Sequence, residues 1–203
     1  MKIIAIGRNY AAHAKELNNA IPTKPIIFLK PDTAVLKDNK PFYIPDFSSD
    51  IHYELEIVLK VCKEGKHIAE KFASNYYDEV GLGIDFTARD IQTAHKEKGL
   101  PWELAKAFDN SAAISNFIPK AKFPDLYDLR FELQINKETR QNGHTANLLF
   151  SFEKIIAFVS QYITLKKGDL IFTGTPEGVG QVKPGDQLEA WLAGEQLINF
   201  NIK

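Results

Sequence analysis

The sequence predicts a β-rich α+β fold in which a mixed sheet is rolled or sandwiched and is accompanied by a few short helices. Apolar runs of strand length recur along the chain and are separated mostly by Gly, Pro, Asn or Asp. Segments with helical periodicity are fewer, and they alternate with strands too irregularly for a doubly wound parallel sheet. Near the end, Ala193-Gly194 separates two alternating runs, which indicates a hairpin.

The individual elements follow from these patterns. The predicted strands are residues 3–6, 26–29, 53–62, 80–87, 129–135, 169–173, 187–192 and 197–202. The predicted helices are residues 10–17, 69–76, 89–96 and 152–162, and the last has an apolar stripe formed by Ile155, Ile156, Phe158 and Val159. No segment resembles a linker, so we expect residues 1–203 to form a single domain.

Composition limits the partners and the compartment. The chain has 25 Lys and Arg against 26 Asp and Glu, a formal net charge of -1, which gives no electrostatic reason to expect nucleic acid or an anionic membrane as a partner. The single cysteine, Cys62, cannot form an internal disulfide and fits a reducing compartment. The apolar start is too short for a signal peptide, and no later stretch has the length of a membrane span. We therefore expect a cytoplasmic protein.

The most informative segment is the predicted strand that contains Glu54 and Glu56. Side chains alternate along a strand, so these two carboxylates lie on one face, about 7 Å apart, and Leu55 and Ile57 lie on the other. Both carboxylates are close enough to bind one ion. The alternative is the solvated outer face of an amphipathic strand.

Asp85 lies within an apolar strand that contains glycine, where an unpaired carboxylate is costly and a cation is required. A salt bridge to Arg89 would satisfy this need without a metal. If Asp85 instead joins Glu54 and Glu56, the ligands are all oxygen, which favours hard divalent ions such as Mg²⁺, Mn²⁺ or Ca²⁺ over Zn²⁺.

Further candidates lie in helical segments. Arg89 and Gln92 are three residues apart at a predicted helix start, so they should share a face that points toward Asp85. This arrangement suits the binding of a substrate carboxylate. The alternative is an ordinary arginine at the start of a helix. Lys106 lies between apolar residues, so it is either buried, with a lowered pKa or an acidic partner, or extended to water. His13 and Glu16 have the spacing of a general-base dyad or of a surface helix contact.

A glycine-rich turn, residues 172–180, follows a hydrophobic strand, and its backbone N–H groups are suited to an anion pocket. The turn lacks the lysine of a phosphate-binding loop and the spacing of a dinucleotide-binding motif, so it is not interpreted as nucleotide-binding.

In their order, these segments resemble the fumarylacetoacetate hydrolase family, specifically its short single-domain branch of acylpyruvases and oxaloacetate decarboxylases. The resemblance spans nearly the whole chain. Its motifs are Gly7-Arg8-Asn9-Tyr10 with His13 and Glu16, Phe28-Leu29-Lys30-Pro31, the Glu54/Glu56 strand, residues 85–92, residues 98–102 with Lys106, Gln141-Asn142-Gly143, and residues 173–180.

The resemblance implies a mixed β-roll that is usually dimeric. It also implies a divalent metal, which we expect to be Mg²⁺ with Mn²⁺ or Ca²⁺ as alternatives, and a small 2-oxo acid as the substrate. It implies specific roles for nine residues. These are Glu54, Glu56 and Asp85 as metal ligands, His13 and Glu16 as a catalytic dyad on a mobile lid, and Arg89, Gln92, Lys106 and Thr175 as contacts to the oxo-acid end. In the mechanism that we expect from these roles, Lys106 also acts catalytically, because it stabilises charge and delivers a proton.

The activity implied is the hydrolysis of acylpyruvates, such as acetylpyruvate or fumarylpyruvate, to pyruvate and a carboxylic acid through a metal-stabilised pyruvate enolate. Oxaloacetate decarboxylation and keto-enol isomerisation form the same enolate, so the ligand set does not separate the three reactions. A non-catalytic protein that binds oxo acids is the alternative from a different class. The His13/Glu16 pair argues against it, because binding alone requires no base.

Overall fold

The computed structural model describes all residues from Met1 to Lys203. The strands are β1 (Ile3–Gly7), β2 (Ile26–Lys30), β3 (Val35–Leu36), β4 (Ile51–Tyr53), β5 (Leu55–Val61), β6 (Tyr77–Asp85), β7 (Thr87–Ala88), β8 (Ala112–Ile114), β9 (Ile118–Pro119), β10 (Arg130–Ile135), β11 (Glu138–His144), β12 (Leu170–Phe172), β13 (Gly180–Gln181), β14 (Gln187–Leu192) and β15 (Glu195–Asn201). The helices are α1 (Ala11–Glu16), α2 (Glu70–Ala73), α3 (Arg89–Glu97), α4 (Glu103–Lys106) and α5 (Phe152–Tyr162). Short 3₁₀ turns occupy Asp32–Ala34, Ser74–Tyr76, Lys120–Lys122 and Thr145–Asn147.

Three sheets form the framework. The largest runs in the order β2-β1-β12-β5-β6-β8-β3, with β9 also paired to β6. It is mixed, because β1 pairs with β12 and β3 with β8 in parallel while its other pairs are antiparallel. A four-stranded antiparallel sheet has the order β11-β10-β14-β15, and β4 joins β13 and β7 in a small third sheet. The predicted β-rich α+β fold is confirmed.

The main core lies where the four-stranded sheet packs against the large one. Strands β10, β14 and β15 contact β5 and β6, and the inward side chains of both sheets belong to one buried cluster. Helix α5 contributes Ile155, Ile156 and Val159 to this cluster, as its apolar stripe predicted, whereas Phe158 is only half-buried. The Ser151 hydroxyl accepts a hydrogen bond from the Lys154 N–H and thereby caps the start of this helix.

The predicted hairpin at Ala193-Gly194 is confirmed. Leu192 pairs with Glu195 across a two-residue loop, and the φ angles of Ala193 and Gly194 are 50° and 84°. Two positive φ angles are the signature of the turn whose twist matches that of the flanking strands.

Two strands that were predicted to be continuous are each divided into two strands. The predicted strand 53–62 is divided at Glu54 between β4 and β5, which belong to different sheets, and the strand 80–87 is divided in the same way at Phe86 between β6 and β7. The chain passes from one sheet to another at both breaks. Hydrophobic alternation does not report such a crossing, because the residues on either side are buried in both sheets.

Sequence patterns also missed several elements. Strand β11 has a mostly polar sequence, Glu-Thr-Arg-Gln-Asn-Gly-His, and its place in the sheet is set by the tight turn after β10 rather than by apolar alternation. Strands β3, β7, β9 and β13 have two residues each, too few to show periodicity. No helix combines the length and the apolar character needed to cross a bilayer.

Candidate active site

Three carboxylates meet where β5 and β6 lie side by side. Glu56 in β5 is directly opposite Gly83 in β6, Glu54 immediately precedes β5, and Asp85 ends β6. One oxygen from each of the three carboxylates lies within 4.8 Å of the others. Their exposed fractions are only 5%, 2% and 0% for Glu54, Glu56 and Asp85, so the alternative of a solvated strand face is wrong.

Glu54 and Asp85 are neutralised by buried cations. The Lys106 ammonium is 2.7 Å from an oxygen of each carboxylate and also donates to the Thr87 hydroxyl at 2.6 Å. The Arg89 guanidinium is 2.5 Å from the second Glu54 oxygen. Burial by itself raises the pKa of Glu54, but Lys106 and Arg89 outweigh burial and hold that pKa well below its usual range.

Glu56 differs from the other two carboxylates because it has no basic partner. Its carboxylate accepts one hydrogen bond, from the Gly174 N–H at 2.6 Å. Burial, followed by the charges of Asp85 and Glu54, raises the pKa of Glu56 well above its usual value. A buried carboxylate with oxygen neighbours and an unbalanced charge suits a hard divalent cation, so the donor set fits Mg²⁺ or Mn²⁺.

Lys106 is buried and paired with acids, which is one of the two outcomes predicted for it. It lies at the end of the one-turn helix α4. Burial lowers its pKa, but the charges of Asp85 and Glu54 outweigh burial, so the pKa of Lys106 is raised overall. The alternative in which this side chain extends to water is wrong.

Arg89 and Gln92 share a face at the start of α3, as their spacing predicts, and the Arg89 guanidinium donates to the Gln92 side-chain oxygen at 2.5 Å. The direction predicted for this face was wrong in part, because Arg89 forms its ion pair with Glu54 and not with Asp85. The charge of Asp85 is instead balanced by Lys106 and by Lys30, whose ammonium is 2.6 Å from the other Asp85 oxygen.

His13 and Glu16 form the predicted pair on α1. His13 Nδ1 is 3.2 Å from one Glu16 oxygen, and the other Glu16 oxygen accepts the Gly178 N–H at 3.0 Å. His13 is buried, so the alternative of a surface helix contact is wrong. All of the residues implied by the resemblance except Glu16 line one pocket, and Glu16, which is exposed, adjoins the pocket through its contact with His13.

The backbone N–H groups of the glycine-rich turn donate to carboxylates, but these carboxylates are side chains of the protein itself. Gly174 N–H donates to Glu56 and Gly178 N–H donates to Glu16, so one loop orients a carboxylate of the acidic cluster and the carboxylate of the dyad. Gly178 has a φ of 93°, and a Cβ there would lie 2.1 Å from the Arg140 carbonyl oxygen. Glycine is therefore required at this position.

Lys30 was missed as a site residue. Its side chain is completely buried at the end of β2, and its ammonium donates to the Ser111 hydroxyl and carbonyl oxygens, each at 3.0 Å, and to the Lys106 carbonyl oxygen. Burial lowers its pKa despite the nearby Asp85. A lysine that ends the apolar run Ile26–Lys30 was the available signal, because a charge in that position requires an acidic partner.

Gln141 was also missed as a site residue, although it belongs to one of the motifs of the resemblance, because no local pattern in the sequence indicated its role. Its buried amide joins β11 to two parts of the site: its oxygen accepts the Leu55 N–H at 2.9 Å, between Glu54 and Glu56, and its nitrogen donates to Thr175 Oγ1 at 2.8 Å and to the Pro176 carbonyl at 3.0 Å. Because Thr175 Oγ1 accepts from Gln141, the Thr175 hydroxyl hydrogen remains available to a ligand.

Replacing Gln141 with methionine, of similar volume, is expected to lower the free energy of unfolding by about 1–3 kcal/mol, because the Leu55 N–H and Pro176 carbonyl lose their buried partner. Urea denaturation measures the effect. Gln134→Met in the neighbouring strand is the matched control, because the Gln134 amide contacts only the Glu132 carboxylate and should contribute little. Equal stability of the two variants would contradict this role.

Comparison with known proteins gives this arrangement its context. Residues 2–200 match the family model described as fumarylacetoacetate (FAA) hydrolase C-terminal. The chain belongs to the fumarylacetoacetate hydrolase family. Relatives in this family include the mouse (Mus musculus) protein named oxaloacetate tautomerase FAHD1, mitochondrial, which is 44% identical over 201 residues, or 99% of this chain and 91% of the relative.

Two further members of the fumarylacetoacetate hydrolase family are informative. The Dictyostelium discoideum protein named oxaloacetate decarboxylase, mitochondrial, is 43% identical over 95% of this chain and 89% of its own length. The crystal structure of fumarylpyruvate hydrolase from Pseudomonas aeruginosa, in complex with Mn²⁺ and pyruvate, superposes with a TM-score of 0.94 at 33% identity and covers 100% of this chain and 89% of that one. This chain is therefore an enzyme, which argues against the binding protein without turnover.

The predicted cytoplasmic location was wrong. The mouse and D. discoideum relatives are named mitochondrial, which points away from a purely cytoplasmic location. The prediction relied on the single cysteine, on an apolar start too short for a secretory signal peptide and on the lack of a stretch as long as a membrane span, and these properties suit any reducing compartment. They do not distinguish one such compartment from another, because organelle addresses are read by receptors and not by the composition of a folded domain.

Proposed function

We propose that this enzyme hydrolyses a C–C bond in acylpyruvates, releasing pyruvate and a carboxylic acid with the help of a divalent metal. The observation that carries the proposal is Glu56. Glu56 is a buried carboxylate without a basic partner, and one of its oxygens lies within 4.8 Å of an oxygen of each of two other carboxylates. His13 lines the same pocket and is paired with Glu16.

Glu54, Glu56 and Asp85 would hold the metal, with Mg²⁺ or Mn²⁺ preferred over softer ions because all three donors are carboxylate oxygens. Such a cation supplies a Lewis acid for the carboxylate and 2-oxo group of the substrate. Lys106 remains within reach of the same oxygens, and its ammonium stabilises negative charge that develops on the pyruvate part.

Arg89, Gln92 and Thr175 bind the oxo-acid end of the substrate. The Arg89 guanidinium lines the pocket, and Gln92 and Thr175 are both buried along the same wall. Buried donors of this kind favour a ligand that accepts hydrogen bonds, because an unpaired polar group costs free energy. A carboxylate matches the planar Arg89 guanidinium best.

His13, oriented by Glu16, acts as the general base. It removes a proton from a water molecule that attacks the distal carbonyl of the acylpyruvate. The C–C bond then breaks, the acyl group leaves as a carboxylic acid, and the electron pair stays on the pyruvate as its enolate. Lys106 delivers the proton that converts the enolate to pyruvate.

Oxaloacetate decarboxylation or tautomerisation is the second candidate, and the names of the mouse and D. discoideum relatives favour it. Loss of CO₂ leaves the same pyruvate enolate and requires no attacking water, and tautomerisation requires only proton transfer beside the 2-oxo group. The residues that bind the oxo acid would be shared, whereas the need for a water-activating base would be absent.

A substrate panel tests the proposal. With Mg²⁺ or Mn²⁺ present, we expect acetylpyruvate or fumarylpyruvate to release pyruvate, and we expect excess chelator to lower the rate by on the order of a hundredfold or more, because the charge on the enolate loses its main stabilisation. Oxaloacetate, assayed in parallel for CO₂ release and enol–keto conversion, distinguishes the second candidate. Full activity after chelation would contradict the metal requirement.

We also propose that residues 1–203 act as one catalytic domain and that the enzyme is a homodimer. The main core, which joins the two larger sheets, supports the first statement. An apolar surface beside α3 and α4 supports the second, because Phe47 and Leu104 expose 52% and 67% of their surface and adjoin Ile91, Ala107 and Phe108.

A further inference from the structure

Two buried polar atoms near the active-site pocket have no hydrogen-bond partner, and their chemistry is complementary. One is Nε of Arg89, which carries a hydrogen and can only donate. The other is Nδ1 of His52, a residue of β4. Buried polar groups are nearly always paired, because an unpaired one costs free energy. A donor and an acceptor that are both left over in one region of the protein therefore suggest a contact between them.

The pairing of β4 with β7 places His52 beside the path of the Arg89 side chain. His52 lies opposite Thr87, and the Arg89 N–H donates to the Asp50 carbonyl oxygen at 2.8 Å. The Arg89 side chain therefore starts level with Asp50 and ends at Glu54, where Nη2 contacts a carboxylate oxygen at 2.5 Å. Residue 52 is midway between these two positions. After burial, the Arg89 charge is the next cause of a lowered pKa of His52, so the two side chains are close.

Asp50 determines which nitrogen of His52 is the acceptor. One Asp50 oxygen is 2.8 Å from His52 Nε2, and a carboxylate accepts hydrogen bonds, so the ring hydrogen lies on Nε2. Nδ1 then presents a lone pair. This lone pair is the group that the Arg89 Nε–H requires, because every other hydrogen in the guanidinium is on a terminal nitrogen.

A hydrogen bond at Nε would orient the Arg89 guanidinium without occupying the nitrogens that face the pocket. Nη1 donates to the Gln92 side-chain oxygen and Nη2 to Glu54, each at 2.5 Å. The guanidinium is planar, so holding Nε in place restricts the plane in which both terminal nitrogens lie. Binding of a carboxylate through two parallel hydrogen bonds depends on that plane.

We propose that His52 Nδ1 accepts a hydrogen bond from the Arg89 Nε–H, directly or through one water molecule, and that His52 is a positioning residue that orients Arg89 for the substrate carboxylate. The inference rests on the proposed function, in which Arg89 contacts the oxo-acid end. It assigns His52, and Asp50 behind it, to the site although neither residue lines the pocket.

Two substitutions of His52 separate the roles of its ring nitrogens. Asparagine places its side-chain oxygen near the position of Nδ1 and keeps the acceptor. Glutamine reaches the position of Nε2 and keeps a donor to Asp50, but it leaves Nδ1 without a replacement. His144 is the matched control, because its Nε2 is also 2.8 Å from an oxygen of an aspartate, Asp128, its side chain is 22% exposed against 20% for His52, and it does not line the pocket.

Calorimetry of oxalate binding with Mg²⁺ and steady-state kinetics with an acylpyruvate measure the function of Arg89. We expect His52→Gln to weaken oxalate binding and to raise KM, each by about tenfold, with kcat changed about twofold or less, because Arg89 loses one hydrogen bond that orients it. His52→Asn should stay within about threefold of the wild type. The same two substitutions of His144 should have no effect.

The hydrogen bond itself is measured by nuclear magnetic resonance without a ligand. The Arg89 Nε–H signal is assigned by its loss in Arg89→Lys. It should be protected from exchange with solvent in the wild type and in His52→Asn, and it should exchange at least tenfold faster in His52→Gln. In the Arg89→Lys background, His52→Gln should cause no further loss of oxalate affinity, because the two residues act as a unit.

Equal losses in His52→Asn and His52→Gln would overturn the proposal, because they would assign the effect to the shape of the imidazole ring. Unchanged exchange of the Arg89 Nε–H in His52→Gln, or an additive loss of affinity in the Arg89→Lys background, would also overturn it. Oxalate binding that is the same in the wild type and all His52 variants would overturn the positioning role alone. A wild type that binds no oxalate with Mg²⁺ would overturn the proposed function and the positioning role together.

Discussion

Replacing Glu56 with glutamine is expected to remove metal-dependent activity and to make the metal-free protein more stable. Glutamine keeps the hydrogen bond from the Gly174 N–H but loses the charge that a divalent cation requires. We expect activity to fall by on the order of a thousandfold. The free energy of unfolding without metal should rise by about 1–3 kcal/mol, because a buried group with an unbalanced charge is removed.

The effect on stability depends on pH in a defined direction. The pKa of Glu56 in the folded protein is raised above its value in the unfolded chain, so the folded state binds more protons between these two values. The stability contribution of Glu56 is therefore complete at low pH and is lost as the pH rises from the ordinary carboxyl pKa, about 4.3, through the raised value. The difference in stability between Glu56→Gln and the wild type should grow over that range.

Urea denaturation at several pH values, with chelator and with Mg²⁺, measures these effects. Magnesium should stabilise the wild type and leave Glu56→Gln unchanged, because a ligand stabilises only the state that binds it. Glu79→Gln is the matched control, since Glu79 forms its ion pair with Lys60 away from the pocket. A Glu56→Gln variant that is stabilised by magnesium as strongly as the wild type would contradict Glu56 as a ligand.

Replacing His13 with glutamine is expected to slow acylpyruvate hydrolysis by on the order of 10²- to 10⁴-fold, the usual contribution of a general base. Binding of Mg²⁺ and oxalate should be nearly unchanged, because His13 is paired with Glu16 and forms no hydrogen bond or ion pair with the three carboxylates. Steady-state kinetics with an acylpyruvate, together with oxalate calorimetry, separates the two effects. Any decarboxylation of oxaloacetate should be affected much less than hydrolysis, since it requires no activated water.

Glu16→Gln provides the comparison for His13. It keeps an oxygen able to accept the Gly178 N–H, but it removes the negative charge beside the imidazole, so we expect a smaller loss of hydrolysis than in His13→Gln. Unimpaired hydrolysis in His13→Gln would rule out His13 as the base. Equal losses of hydrolysis and of oxalate affinity would show instead that His13 supports the shape of the pocket.

Much of the site followed from local patterns in the sequence. Alternation along one strand predicted that Glu54 and Glu56 share a face, and the burial cost of a carboxylate in an apolar strand predicted a cation near Asp85. Spacing along helices predicted the contacts of His13 with Glu16 and of Arg89 with Gln92, and both are present. The order of the motifs supported the family, which the comparisons show.

The partners of these residues could not be predicted in the same way. Asp85 is balanced by Lys30, which is 55 positions earlier in the chain, and the segment around Glu54 is fixed by Gln141, which lies in the other large sheet. Hydrophobic periodicity carries no information on such contacts, because it reports only the burial of each segment. The division of two predicted strands at Glu54 and Phe86 was missed for the same reason.

The sequence by itself determined the type of fold, the elements with strong periodicity, and the chemical character of the site: an all-oxygen donor set, a histidine–carboxylate pair and basic residues nearby. Only the tertiary structure decided which charges neutralise one another, leaving Glu56 without a basic partner, and which buried polar atoms, among them Arg89 Nε and His52 Nδ1, have no partner. The reason is that side-chain patterns depend on neighbours along the chain, whereas electrostatic pairing depends on distances in space between segments far apart in sequence.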